Sequence, residues 1–199
     1  MSTYNVTFSM QSFWHIGSGQ EGGAYADALM LKSHLGLPII PGKSIKGLLK
    51  EAFTKAEDNN WFDTKSLPLT EMLFGLGNTQ GLTNQGLLQF TNAELHPAEQ
   101  SQLIAEPQLK TSLYQVITNT AIDETTGVAK DTSLRSIEVC IPLTLQAQIT
   151  INTNHHLYEK FHLTIGETFA KWLQQVLALI TELGAKRHRG FGETIITMA

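Results

Sequence analysis

The chain has 199 residues, of which 42% are hydrophobic and 16% charged, and a formal net charge of −4. That length supports one core of ordinary size, and the composition excludes wholesale disorder. The acidic balance excludes a protein that coats nucleic acid with its whole surface, but a local basic groove remains compatible with it, because screening confines each charge to its surroundings.

The single cysteine, Cys140 in the stretch IEVCIPL, has no partner for an internal disulfide and reads as a core residue in a reducing compartment. The segment MSTYNVTFSM lacks a basic start followed by a continuous apolar run, and no apolar stretch is long enough to span a bilayer. The expectation is a cytoplasmic protein without membrane association.

In chain order, Tyr4, Val6, Phe8 and Met10 alternate with Thr3, Asn5, Thr7 and Ser9, the period of a half-buried strand. Residues 11–43 are punctuated by Gly and Pro with little period and read as a loop insertion. Ile45, Leu48, Leu49, Ala52, Phe53 and Ala56 recur at helical spacing and predict an amphipathic helix over about 44–57. GLLQFTNAEL, residues 86–95, accommodates a short strand. Residues 96–136 are polar and rich in Thr, a long insertion of the kind that carries function or flexibility.

From Leu143 to Ile151, Leu143, Leu145, Ala147, Ile149 and Ile151 alternate with Thr144, Gln146, Gln148 and Thr150, the cleanest strand signal in the chain. A second helix then has a start at Thr164 and Glu167 in a capping-box pattern. Its stripe is Phe169, Trp172, Leu173, Val176, Leu177 and Ile180, and Gly184 is its expected C′ residue. FGETIITM closes with a strand. The order strand, helix, strand, strand, helix, strand predicts an α+β fold. It has a ferredoxin-like, RRM-like antiparallel sheet with two helices on one face, as one domain over 1–199 carrying the insertions 11–43 and about 96–136.

Two phosphate motifs fail on context. GSGQEG (17–22) fits G-x-G-x-x-G, but a dinucleotide site needs that motif to open a helix after a strand, with an acid about 20 positions on. No Asp or Glu occurs between Asp27 and Glu51. PGKS (41–44) imitates the end of a P-loop, yet the spacing from Gly36 to Gly42 is one residue too long, and Pro38 and Pro41 stiffen a loop that must wrap phosphates.

What survives is the entry to the first helix. Lys43, Ser44 and Lys46 lie in its first turn, where cations oppose the macrodipole unless an anion is bound. A solvated polar face that also includes Lys50 is the plainer reading. GAKRHRGFGE (184–193) is the stronger anion signal. Gly184 and Gly190 let backbone approach a ligand, while Lys186, Arg187 and Arg189, with His188 among them, supply charge-assisted bonds suited to phosphates. A basic helix C-cap accounts for one or two cations, not for three followed by Gly-Phe-Gly, so RNA or DNA is the expected ligand.

His15 follows Trp14 and reads as a general base or as a packed histidine. His155, His156 and His162 lack zinc spacing and read as a surface loop. Asp27 is a lone carboxylate that could hold a metal ion or polarise a 2′-hydroxyl.

Taken together, HIGSG (15–19), LPIIPGKSIKGLLKEAF (37–53), LFG (73–75), AIDETTGVAKDTSLRSIEVCIPLTLQAQI (121–149) and GAKRHRGFGE (184–193) resemble the RAMP superfamily of CRISPR-associated proteins. They are most similar to the small backbone subunits of type III effector complexes, over about residues 4 to 198. The resemblance implies an RNA-recognition-like core that holds CRISPR RNA along a filament of subunits. Contacts to the guide backbone would fall to Lys43, Ser44, Lys46, Lys186, Arg187 and Arg189.

It implies that 96–136 is a thumb that wedges into the duplex of guide and target, unstacking bases and exposing the opposed phosphodiester. It also implies that Asp27 promotes cleavage of complementary target RNA with Mg²⁺ or another divalent cation. DALMLKS (27–33) keeps the Asp, the hydrophobic run and Lys32 of the cleaving members, but has Ala28-Leu29 where a proline is common and Ser33 where an acid often follows. Partners implied are CRISPR RNA, target RNA and other effector subunits, including copies of itself or related RAMP subunits. Three alternatives stay open: a non-cleaving RAMP subunit, a guide-processing endoribonuclease with His15 as base, and a module for a nucleotide or phosphorylated metabolite.

Overall fold

The computed structural model describes residues 2–62, 68–76, 85–123, 125–130 and 133–198. Its main sheet is built from β1 (Thr3–Met10), β2 (Leu88–Phe90), β5 (Thr144–Ile151) and β6 (Thr194–Met198), in the spatial order β2-β5-β1-β6. Every pairing is antiparallel: Val6 lies opposite Ala147 and Met198, and Phe90 opposite Ile149. With these four strands taken in chain order, this is the ferredoxin-like arrangement expected of a split βαβ unit.

The two-residue period decides which face is covered. Val6, Phe8 and Met10 on β1 and Leu145, Ala147, Ile149 and Ile151 on β5 are buried. Helix α1 (Gly42–Asp58) lays Ile45, Leu49, Ala52, Phe53 and Ala56 on that face, and α6 (Phe169–Leu177) adds Phe169, Leu173, Val176 and Leu177. Phe53 is the centre of the packing, with its ring 5.5 Å from Phe62, 5.4 Å from Phe74 and 6.3 Å from Phe169. Such aromatic contacts add to the burial of apolar area. Two shorter helices, α2 (Leu69–Phe74) and α5 (Tyr158–Ile165), flank the layer.

The second helix differs from its sequence reading at both ends. Thr164 belongs to the last turn of α5, and α6 begins after Thr168, whose side chain makes no capping bond. At the other end α6 stops at Leu177, because Ile180 and Leu183 stay buried by leaving the helix: the backbone bridges Glu182 to Glu193, and Leu183 N–H donates to Gly192 O. Gly184 is therefore a loop residue and not the C′ glycine of a long helix.

The 96–136 segment carries structure of its own. Helices α3 (Pro97–Ala105) and α4 (Gln108–Thr111) lead into a hairpin of β3 (Tyr114–Asn119) and β4 (Arg135–Cys140), with Tyr114 opposite Cys140 and Asn119 opposite Arg135. The base of β4 is buried, and Cys140 exchanges backbone hydrogen bonds with Trp14 at 2.9 and 3.1 Å. Burial pushes the Cys140 thiol up to about 12, as befits a core residue. Beyond the paired strands, Ile122, Val128 and Leu134 are all more than 60% exposed. Among the described residues no helix is long and apolar enough to cross a membrane.

Candidate functional site

Two irregular segments meet on the outer half of β4, and a third candidate segment opens α1 against residues 90–92. The first is the stretch holding Asp27. Its N–H and that of Ala28 both donate to Ser136 O, at 3.1 and 3.3 Å, and Glu138 N–H returns a bond to Ala28 O at 2.9 Å. This makes residues 27–28 a short parallel addition to the hairpin, with Ala28 bridging Ile137.

The Asp27 side chain closes the junction. Its Oδ2 accepts from the Ser136 N–H at 2.6 Å and from the Ser136 hydroxyl at 3.1 Å. The Ser136 backbone and hydroxyl donors hold the carboxyl below its ordinary range, against a small opposing effect of burial, and the cations Arg135 and Lys186 add to the lowering. Asp27 is exposed and ionised at neutral pH, beside two positive charges.

The second segment is the glycine-rich loop. Gly184 has φ +88°, and a Cβ there would run into the His15 carbonyl. Gly192 has φ +78°, and a Cβ there would run into the Leu183 carbonyl. Both positions therefore require glycine. The loop is stitched to residues 13–15 by Ala185 N–H to His15 O at 2.9 Å and Gly192 N–H to Phe13 O at 2.8 Å. Between the glycines, Lys186 adopts φ 58° and starts a single 3₁₀ turn, Arg187–Arg189, ended by Gly190 at φ 77°. The turn exposes Arg187, His188 and Arg189.

The turn also divides its cations. Lys186 and Arg189 line a hollow of about 360 Å³ together with Asn119, Thr120, Ala121, Ser133 and Arg135 at the hairpin. Arg187 lines a different cavity of about 170 Å³, against Glu51 and Lys55 of α1 and Glu182. Lys55 first and Arg187 after it lower the Glu51 carboxyl. One cation cluster in sequence thus serves two surfaces in space.

The third segment is the entry to α1. Gly42 packs so closely that a Cβ would sit 2.7 Å from Phe90 O, and its N–H is capped by Asn92 Oδ1 at 3.0 Å. Lys43 is exposed, Ser44 and Lys46 are half-buried, and Lys50 is spent on Gly75 O at 3.0 Å. Lys43, Ser44 and Lys46 do not line either hollow around the glycine-rich loop. They lie toward the N-terminus of the helix whose Glu51 faces Arg187, with Lys46 roughly 8 Å along the axis from Glu51.

A model of the RAMP superfamily matches residues 7–194, from β1 to the first residue of β6. The chain belongs to the RAMP superfamily. Among the solved structures that share the fold are chains of three CRISPR complex structures. The type III-B Cmr-beta complex bound to cognate target RNA contains a chain with TM-score 0.69 and 11% identity, covering 100% of this chain and 97% of that one. The apo Cmr-beta structure gives 0.67 and 11%, with coverage of 99% and 97%, and a type IV-B CRISPR complex gives 0.60 and 17%, with 100% and 90%. No curated protein sequence matches.

Within this RAMP fold several site residues carry no sequence signal of their own. Ser136, Arg135 and Glu138 sit inside a strand and declare themselves only when Asp27 is seen docked against it. Asn92 caps a helix that precedes it by 50 residues.

His15, by contrast, leaves the surface. It is 3% exposed, with Nδ1 2.6 Å from Glu138 O. His155 Nε2 lies 2.8 Å from Gln85 O and the ring stacks on His156 at 4.3 Å, while His162 stacks on Tyr158.

A hard divalent cation at this site would have Asp27 as its carboxylate. Among the described residues no group of three or more His, Cys, Asp or Glu converges. Mg²⁺, however, needs only one or two carboxylates when substrate phosphates and waters complete its octahedron. Asp27 fits that role, with both Ser136 bonds directed at Oδ2.

Proposed function

We propose that the chain is a guide-RNA-binding backbone subunit of a CRISPR effector complex of the type III kind, and that it promotes metal-dependent cleavage of complementary target RNA. The observation that carries this reading is the junction itself: an ionised carboxylate, Asp27, fixed on the outer half of β4 beside a hollow that Lys186, Arg189 and Arg135 line at the outer end of the paired strands, with Ile122, Val128 and Leu134 exposed beyond it. Membership in the RAMP superfamily and the fold shared with Cmr-beta chains, one of them in a complex bound to target RNA, support it.

Each part has a chemical task. The hollow offers guanidinium and ammonium groups to phosphates, which gives affinity without reading sequence. The apolar outer hairpin is suited to slide between bases and unstack them, which bends the strand opposite. Asp27, a carboxylate that the Ser136 donors keep ionised to still lower pH, is the group that would hold Mg²⁺ or another divalent cation at a distorted phosphodiester. That ion would supply Lewis-acid stabilisation of the developing charge. The glycines let backbone come close to the RNA while fixing where Lys186 and Arg189 point.

A second reading, a RAMP subunit that binds the guide and does not cut, is favoured by one observation. Asp27 already serves a structural role by closing residues 27–28 onto Ser136.

The experiment is to tag the protein in its native host, purify it gently and sequence the RNA that accompanies it, then to present complementary RNA with Mg²⁺. Short RNAs with one common repeat-derived end in a large assembly are expected, with target cleavage that Asp27→Asn removes. A small particle without RNA overturns the guide-complex reading. Assembly on the guide with equal absence of cleavage in both proteins leaves the non-cutting subunit.

A further inference from the structure

One buried charge has no part in the interface as described so far. Glu138 is 2% exposed, in the middle of β4, two residues along the strand from Ser136, which holds Asp27. Burying a carboxylate is costly unless it is paired and hydrogen-bonded. Its partners show where that cost is offset. Oε1 accepts from Lys32 Nζ at 2.8 Å and from the Tyr25 hydroxyl at 3.3 Å, and Oε2 accepts from the Met30 N–H at 3.0 Å. All three donors belong to residues 25–32, and they flank Asp27 on both sides.

The rest of the surroundings lock the same arrangement. Lys32 lies over the Tyr114 ring at 4.0 Å, so the cation that Glu138 binds is also held by β3. The backbone of Glu138 works in parallel: its N–H donates to Ala28 O, and its carbonyl is 2.6 Å from His15 Nδ1. His15 O in turn receives Ala185 N–H, at the start of the glycine-rich loop. A single residue thus ties the Asp27 segment, the hairpin and the basic loop to one point.

We infer that Glu138 is a positioning residue, a buried clamp whose carboxylate sets the Asp27 segment in register on the hairpin, with Lys32 as its counter-charge. It does not touch RNA. The inference rests on Asp27 being the group that acts on the target strand, and it extends that reading to the residue that places it.

The test uses the full chain assembled on guide RNA and the variant Glu138→Gln, which keeps the shape and one acceptor while removing the charge that faces Lys32. Amide hydrogen exchange is followed in residues 25–32 and in β1 and β5. Exchange in 25–32 is expected to rise at least about tenfold, the change that about 1.4 kcal/mol of lost local stability produces, with β1 and β5 unchanged. Guide affinity is expected to stay within about threefold, because the variant leaves the cations in place. Target cleavage is expected to fall about tenfold or more in kcat with KM little altered.

Unchanged exchange in 25–32 overturns the clamp. So does an even loss of protection over β1 and β5, which would make Glu138 a fold residue, and so does cleavage at the wild-type rate from a loosened segment. If Glu138→Gln does not yield folded protein, Lys32→Met removes the same pairing from a half-exposed side chain and is read in the same way. Should wild type fail to cut target RNA, the Asp27 reading falls, while the exchange arm still decides whether Glu138 clamps residues 25–32.

Discussion

Neutralising the hollow between the glycine-rich loop and the hairpin gives the most direct quantitative test of the interface. Lys186, Arg189 and Arg135 line it together. Each single-strand phosphate that a cation neutralises contributes ~0.7 to the slope of log affinity against log salt, so loss of all three lowers that slope by roughly 2. Over a rise from about 50 to about 200 mM salt, the difference is a factor of roughly 20 in relative affinity between wild type and variant. The replacements need care at one position. Lys186 sits at φ 58°, where asparagine is tolerated far better than alanine, so the triple variant is Lys186→Asn, Arg189→Gln, Arg135→Gln.

The geometry adds an internal control. Arg187 faces Glu51 and Glu182 in its own cavity, and part of its charge is already answered there. Arg187→Gln is therefore expected to lower the slope by less than ~0.7. Fluorescence anisotropy of a labelled single-stranded RNA across a salt series reads both variants, with circular dichroism to show that each is folded. An unchanged slope in the triple variant refutes the hollow as a phosphate site, and a full loss from Arg187→Gln alone refutes the division of the cluster.

Asp27→Asn is expected to reduce cleavage of complementary RNA by about two orders of magnitude or more while guide affinity stays unchanged, read by single-turnover kinetics and anisotropy on the same preparation. Ser136→Ala removes the hydroxyl donor and leaves the stronger backbone N–H donor, so the Asp27 carboxyl is expected to rise only part of the way toward its ordinary value, read by carbon-detected NMR titration. The sign follows from the lowered carboxyl: its stabilising contribution is present above the unfolded-state value, fades as pH falls through the lower folded value, and shrinks in the variant. Gly184→Ala places a Cβ against the His15 carbonyl at φ +88° and is expected to cost about 3 kcal/mol, whereas Gly190→Ala, at φ +77° with open space, costs about 1 kcal/mol; urea titration orders the two. Phe53→Ala, at the centre of the aromatic packing, is expected to cost about 4 kcal/mol by the same assay.

The elements legible in sequence are those whose side chains face one environment along their length. β1, β5 and α1 were readable because burial alternates with period two on the strands and recurs with helical period on α1, as the buried residues bear out. The boundary of α6 was not, because Thr164, Glu167 and Gly184 imitate caps while Ile180 and Leu183 are buried outside the helix. The inner structure of 96–136 was hidden for a related reason: α3 and α4 bury none of their residues and β3 is largely exposed, so neither helix nor strand leaves an apolar stripe. Of the site, the cations and glycines stood out by local density. The partners that position them, Ser136, Glu138 and Asn92, act across long sequence separations and have no local signature.

The sheet face turned away from α1 and α6 bears on which surface the proposed RNA ligand would use. The registers place Thr3, Asn5, Thr7 and Ser9 of β1, Gln89 of β2, Thr144, Gln146, Gln148 and Thr150 of β5, and Ile195 and Thr197 of β6 on that face. A sheet that reads RNA stacks two or three bases on aromatic side chains, and this face offers amides, hydroxyls and the single aliphatic Ile195, with no ring among them. Three exposed apolar side chains, Ile122, Val128 and Leu134, stand instead out on the hairpin, and the cations Lys186, Arg189 and Arg135 lie together at the outer end of its paired strands. Such a division holds a strand by its backbone and perturbs its stacking without recognising its letters. That is the chemistry the proposed guide-binding role requires, and it predicts that substituting Gln146 and Gln148 by serine leaves RNA affinity and its salt slope unchanged.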